Sequence, residues 1–194
     1  MAKSNRENEI KLAFPSRETA ALRLLAAGAR QVHARAFEDN VLFDLADRAL
    51  SKSGRLLRLR DFDGVSLLTF KASVAGEHRH KVKIEHETAI ADPAALRSIL
   101  LGLGFEAVYR YQKYRATFRL DAVEAAVDET PLGTFVELEG APDDVDLAAA
   151  ALGAKPSDFI RASYRELQEK DAATRGVAAG DMLLPPVDRP ETAP

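Results

Sequence analysis

Charged side chains recur two residues apart in successive segments of this chain, and most of the residues between them are apolar. The segments are Glu7-x-Glu9-x-Lys11, Arg58-x-Arg60, Lys83-x-Glu85-x-Glu87, Lys113-x-Arg115 and Glu137-x-Glu139, with Lys71 and Asp128 near the ends of similar stretches. A period of two is the period of a β-strand, where such neighbours stand on one face about 6.5 to 7 Å apart. One strand of this kind is usually a solvated sheet face. Here the pattern repeats, and arginine pairs and carboxylate pairs are concentrated on separate strands, so the charged faces must meet.

The rest of the chain supplies what such a sheet needs. Ser16-Arg17-Glu18-Thr19 starts a helix carrying Leu22, Leu25 and Ala26, and Gly28 ends it. Gln31 to Leu45 is compatible with a strand, and residues 47–54 read as a loop with a short helical turn. Leu56–Arg60 and Ser66–Lys71 flank Asp61-Phe62-Asp63-Gly64 and read as a hairpin. Asp92-Pro93 starts a second helix, with Leu96, Ile99, Leu100 and Leu103 on it. Strands are expected again over Tyr109–Arg119, Ala122–Asp128 and Thr134–Glu139. An alanine-rich helix follows from about Asp143 to Leu152, and another starts at Pro156 and runs through Tyr164 and Leu167. The expected organisation is one domain over residues 1–175 and a tail over 176–194, in which Met182-Leu183-Leu184 is apolar enough to dock. The fold class is α+β. Amphipathic helices cover the apolar strand faces, and the charged faces line the concave side of an antiparallel sheet or the inside of a closed barrel.

Seven carboxylates (Glu7, Glu9, Glu85, Glu87, Asp128, Glu137, Glu139) would then face seven cations (Lys11, Arg58, Arg60, Lys71, Lys83, Lys113, Arg115). Burying so many ions dry costs several kcal/mol each even after pairing, so this interior must hold water, metal or a polyanion. Carboxylate oxygens are hard ligands suited to Mg²⁺ or Mn²⁺, and arginine and lysine bind phosphoryl oxygens. A triphosphate brings about −4 and two divalent cations about +4, which leaves the lining near neutral.

The chain contains no cysteine, which excludes disulfides, thiolate metal sites and a thiol nucleophile. No apolar run approaches the ~20 residues that span a bilayer, and the first residues lack the apolar core of a signal peptide. A cytoplasmic location with no membrane partner is the expectation. With 27 basic against 30 acidic side chains there is no global basic field for nucleic acid. Tyr109, Tyr111 and Tyr114 interleave with basic residues, but strand parity reads them as lining and packing. His78-Arg79-His80 has no matching metal ligand in view and reads as loop.

Glu7-x-Glu9-x-Lys11 resembles the ExExK signature of the CYTH superfamily, the triphosphate tunnel metalloenzymes. The Arg58/Arg60 strand, Lys71, the Lys83–Glu87 strand, Lys113-Tyr114-Arg115, Asp128 with Phe135–Glu139, and Ser163-Tyr164-Arg165-Glu166-Leu167 follow in the family's order, from Glu7 to Leu167. The resemblance implies an eight-stranded antiparallel tunnel with helices outside, open at both ends, and is compatible with a homodimer. It implies phosphate contacts from Lys11, Arg58, Arg60, Lys71, Lys83, Lys113 and Arg115. It implies metal ligation by Glu7, Glu9, Glu137 and Glu139, with Asp128 and one of Glu85 or Glu87 assisting metal binding or water activation. The catalytic set is then Glu85, Glu87, Lys113 and Asp128. Three outcomes are open to such a tunnel: hydrolysis of a triphosphate, cyclisation of ATP with loss of pyrophosphate, and polyphosphate binding without turnover. The His-Phe pair that the cyclase branch carries six residues ahead of ExExK is Met1-Ala2 here, which sets hydrolysis first.

Overall fold

The computed structural model describes residues 6–74 and 81–186, with the side chains of Arg6, Glu7 and Lys81 outside the description. The loop bearing His78 and His80 therefore lies outside the described residues.

Eight strands form a closed, wholly antiparallel barrel: β1 (Arg6–Phe14), β2 (Arg30–Leu45), β3 (Arg55–Phe62), β4 (Val65–Ser73), β5 (Lys81–Ile90), β6 (Phe105–Leu120), β7 (Val123–Thr130) and β8 (Gly133–Glu139). Around the barrel the order is β1-β5-β4-β3-β2-β6-β7-β8, and β8 returns to β1. Short hairpins set much of this order. Between β3 and β4 only Asp63 and Gly64 intervene, both at positive φ, the backbone that a two-residue hairpin loop requires.

The helices are α1 (Arg17–Ala26), α2 (Ala49–Lys52), α3 (Pro93–Gly102), α4 (Pro142–Ala151) and α5 (Tyr164–Thr174). Ser16 caps α1 through the Thr19 amide, and Asp92 caps α3 through Ala95. Leu24 of α1 and Val145 and Ala149 of α4 pack on the outward faces of β1, β7 and β8, burying Ile10, Leu12, Val127, Val136 and Leu138. Leu100 of α3 packs likewise on Phe43 and Leu59. The apolar core is thus a layer between barrel and helices, which leaves the barrel interior to the polar set.

Two expectations are corrected. The last helix does not start at Pro156. Residues Pro156–Asp158 form a single 3₁₀ turn, Ile160 pairs as an extended residue with Lys11, and α5 begins at Tyr164 behind a Ser163–Glu166 capping box. The Ser163 signal prevails because Tyr164, the first residue of α5, packs against Tyr111 and Phe135. Nor are both mouths of the tunnel open. The first turn of α5 enters one mouth, where Tyr164 and Leu167 pack with Leu42, Tyr109, Tyr111 and Phe135. Beyond α5 the chain returns to the barrel: the Met182 amide donates to the Arg110 carbonyl and the Gln112 amide to the Met182 carbonyl, along the stretch of β6 that precedes its pairing with β7.

Candidate functional site

Strand pleat alone places the site. Ile10 and Leu12 face the helices, so Glu9 and Lys11 face inward. By the same parity the interior receives Glu38 and Asn40 from β2, Arg58 and Arg60 from β3, and Thr69 and Lys71 from β4. It also receives Lys83, Glu85 and Glu87 from β5, Tyr111, Lys113 and Arg115 from β6, Asp128 from β7, and Glu137 and Glu139 from β8. Glu7 shares the backbone parity of Glu9 and pairs in register with Lys83.

Each cation leans on acid or hydroxyl. The Lys11 ammonium lies 3.1 Å from Glu9 and 3.0 Å from Glu137. Lys113 donates to Asp128 at 2.8 Å and lies 3.4 Å from Glu38. Arg115 forks onto Asp128 at 2.6 and 2.7 Å and also reaches Glu137. Lys71 stands 2.9 Å from Glu85, and Arg60 donates to Glu87 at 3.3 Å. Arg58 donates to the Tyr111 and Thr69 hydroxyls, both at 3.3 Å, and Thr69 in turn donates to Glu87 at 2.7 Å. The Nε atoms of Arg58 and Arg60 are buried donors without a hydrogen-bond partner among the described residues. Two guanidiniums of the interior thus each keep an unused donor.

The electrostatics follow from this crowding. Burial pushes the Glu38 carboxyl up, but Lys113, Arg115, Arg60 and Arg58 outweigh it and hold the group down at about 2. Glu137 is held well below the usual carboxylate range, burial being outweighed by Lys11, Lys113 and Arg115. Burial alone would lower Lys11, yet Glu137 and Glu9 keep it above the ordinary lysine value. Glu139 moves the other way: burial raises it, Lys71 opposes, and the carboxylates Glu124, Glu85 and Glu9 raise it further. Burial beside Asp128 holds the Tyr164 phenol protonated, well above its usual range.

The carboxylates therefore fall into two groups. Asp128, Glu137 and Glu38 sit among cations, whereas Glu139 faces Glu9, Glu85 and Glu124 with one opposing lysine in Lys71. Mutually repelling hard oxygen donors of the second kind suit a divalent cation. No group of three or more His, Cys, Asp or Glu side chains is preassembled for a metal among the described residues, because these carboxylates point at lysine and arginine.

Sequence reasoning assembled Lys11, Arg58, Arg60, Lys71, Lys113 and Arg115 with Glu9, Glu85, Glu87, Asp128, Glu137 and Glu139, and the barrel brings all of them into one interior. It missed Glu38 and Asn40, both fully buried, and Thr69 and the Tyr164 hydroxyl, whereas Tyr111, read as lining, does face inward. Glu38-Asp39-Asn40 hides its parity, since Asp39 points outward to Arg110 and Gln112 and breaks the apolar alternation. The signal was available from β2 itself, where Val41 and Phe43 mark the outward face.

The family model of the CYTH domain matches residues 5–172, so the chain belongs to the CYTH family. A protein of Methanocaldococcus jannaschii named as a candidate adenylate cyclase is 30% identical over 143 residues, covering 68% of this chain and 81% of its own length. Among solved structures, a candidate adenylate cyclase from Vibrio parahaemolyticus superposes with a TM-score of 0.73 at 18% identity, covering 85% of this chain and 98% of that one. A protein from Hippeastrum, described as a candidate adenylyl cyclase with a dominant triphosphatase activity, gives 0.56 at 19% identity, covering 95% of this chain and 99% of that one.

Proposed function

We propose that this CYTH protein is a divalent-metal-dependent enzyme that hydrolyses a triphosphate inside the barrel, its substrate being inorganic triphosphate, a nucleoside triphosphate or thiamine triphosphate. One observation carries the reading: seven cations from five strands converge on a single interior, two of them with unused guanidinium donors. Such a lining matches a polyanion's charge and length rather than that of a single carboxylate ligand.

Glu9 and Glu139 with Glu85, and Glu7 by its register, are the carboxylates that would hold Mg²⁺ or Mn²⁺. When bound, the metal supplies neutralisation of phosphoryl charge and a more acidic water. Arg58, Arg60 and Lys71 bind the phosphates along β3 and β4, and Lys83 extends that row on β5. Lys11, Lys113 and Arg115 bind them from the opposite side and stabilise charge on the transferring group. Asp128 orders Lys113 and Arg115 through four donor contacts that include the Tyr164 hydroxyl. Glu85 and Glu87, on the same face of β5, orient the attacking water and take its proton. Lys11, Lys71, Lys113 and Arg115 must each leave a carboxylate to reach a phosphate, so binding there exchanges internal ion pairs for substrate and metal contacts.

The second reading is cyclisation of ATP, favoured by the name of the 30%-identical Methanocaldococcus jannaschii relative. One experiment separates the readings. Purified protein is incubated with ATP, inorganic triphosphate and thiamine triphosphate, each with Mg²⁺ or Mn²⁺, and orthophosphate, pyrophosphate and cyclic AMP are resolved. Metal-dependent orthophosphate release that is lost in Glu9→Gln and Lys113→Ala supports hydrolysis. Cyclic AMP with stoichiometric pyrophosphate makes it a cyclase, and binding without product makes it a polyphosphate receptor.

A further inference from the structure

We propose that Tyr164, at the first turn of α5, is a positioning residue for the cations of the closed mouth, acting through Asp128. The proposal rests on the phosphate-binding reading above. Tyr164 is not a strand residue; it is delivered into the barrel from outside and fixed on both sides. Its helix start is locked by the Ser163–Glu166 capping box, and four residues earlier Ile160 exchanges two backbone hydrogen bonds of 2.9 Å with Lys11. The phenol then reaches Asp128 Oδ2 at 2.7 Å. The same oxygen accepts Lys113 at 2.8 Å and Arg115 Nη2 at 2.7 Å, and Asp128 is fully buried. The ring does a second job, lying 5.3 Å from the Lys11 ammonium and 5.0 Å from that of Lys113.

Three donors on one carboxylate oxygen share its charge, so each is held less tightly than it would be alone. Removing the phenol proton donor concentrates Asp128 on Lys113 and Arg115 and withdraws both from a phosphate. The hydroxyl itself is occupied by Asp128 and needs no contact with substrate. A helix outside the barrel thereby sets how readily two interior cations are released to a ligand.

The test is a double-mutant cycle on Tyr164→Phe and Asp128→Asn, read by calorimetric binding of inorganic triphosphate with Mg²⁺ and by steady-state kinetics, with melting curves for each variant. Tyr164→Phe keeps the ring and is expected to weaken triphosphate binding about tenfold, the scale of one hydrogen bond to a charged group, chiefly as a raised KM. In the Asp128→Asn background the same change is expected to cost less than about twofold, because no carboxylate remains to be steered. Unchanged affinity in Tyr164→Phe, or an equal loss in both backgrounds, overturns the proposal. If Asp128→Asn does not fold, the side-chain ¹⁵N–¹H signal of Lys113, assigned with Lys113→Arg, decides: it moves in Tyr164→Phe if the hydroxyl acts through Asp128 and stays if it does not. Wild-type protein that binds no triphosphate overturns the phosphate reading and the positioning role with it, while the Lys113 signal separately reports whether the Tyr164–Asp128–Lys113 link exists.

Discussion

Replacing Glu38 with Gln tests whether the barrel interior is held together by charge. Glu38 is fully buried, its oxygens lie 3.4 Å from the Lys113 ammonium and 3.7 Å from Arg115 Nε, and Asn40 donates to it at 3.0 Å. Oε2 has no hydrogen-bond partner among the described residues, so the guanidinium acts on it mainly through space. The carboxyl is held at about 2 against an ordinary 4.5, which at ~1.4 kcal/mol per tenfold corresponds to on the order of 3 kcal/mol of stability at neutral pH. The sign follows from the direction of the shift. A depressed carboxylate stabilises the fold fully above its unfolded value and loses that contribution as pH falls from about 4.5 towards about 2. Urea unfolding at pH 7 should therefore show Glu38→Gln less stable by about 3 kcal/mol, and its stability should fall less steeply than wild type between pH 5 and 2. Inorganic triphosphate should restore more stability to the variant than to wild type, since a bound anion replaces the missing charge beside Lys113 and Arg115. A variant within about 0.5 kcal/mol of wild type, with the same acid profile, would refute the claim that these cations depend on Glu38.

Mg²⁺ and inorganic triphosphate together should raise Tm in differential scanning fluorimetry; at a hundredfold excess over Kd the gain is about 2.7 kcal/mol, or several degrees, and a chelator should remove most of it. Met182→Ala should cost about 2–5 kcal/mol in urea unfolding, because this side chain is 1% exposed and packs against Tyr109 and Tyr111. Asp44→Ala should cost about 1–2 kcal/mol and expose the Leu50 and Ser51 amides to faster hydrogen exchange, because Asp44 accepts from Leu45, Leu50 and Ser51 and so fixes α2 against the end of β2.

Parity made the tunnel legible. Every strand whose outward face is apolar announced its inward residues, and Lys11, Arg58, Arg115 and Glu137 needed no more than that to be placed together. Legibility failed where a residue's role depends on two elements meeting. Glu38 was hidden because its neighbour Asp39 is also charged and serves an outer ion pair with Arg110. Tyr164 could be read as a helix residue, but its reach into the barrel depends on the Ile160–Lys11 pairing, which no local period encodes. The start of α5 was misplaced because Pro156-Ser157-Asp158 and Ser163-x-x-Glu166 are both helix-start signals, and only packing of Tyr164 against Phe135 and Tyr111 selects the second.

The interior is neutralised unevenly, and the unevenness gives binding a direction. On β6, Lys113 and Arg115 are saturated by Asp128, Glu38 and Glu137 at hydrogen-bonding or contact distance. On β3, Arg58 is 3.7 Å from Glu87 and relies on two neutral hydroxyls, and both β3 arginines keep an unused Nε donor. A phosphate oxygen brings its own negative charge to the guanidinium, which a neutral hydroxyl does not, so exchanging hydroxyls for phosphate oxygens is favourable at Arg58, whereas freeing Lys113 first means breaking a buried ion pair. A triphosphate is thus expected to engage β3 before β6. Removing the β3 cations should then slow association, and removing the β6 cations should act on the bound complex. Stopped-flow binding of inorganic triphosphate to Arg58→Gln and Lys113→Arg should therefore show the larger loss in association rate for Arg58→Gln and the larger gain in dissociation rate for Lys113→Arg. The reverse assignment would mean that the ion pairs on β6 open before the ligand arrives.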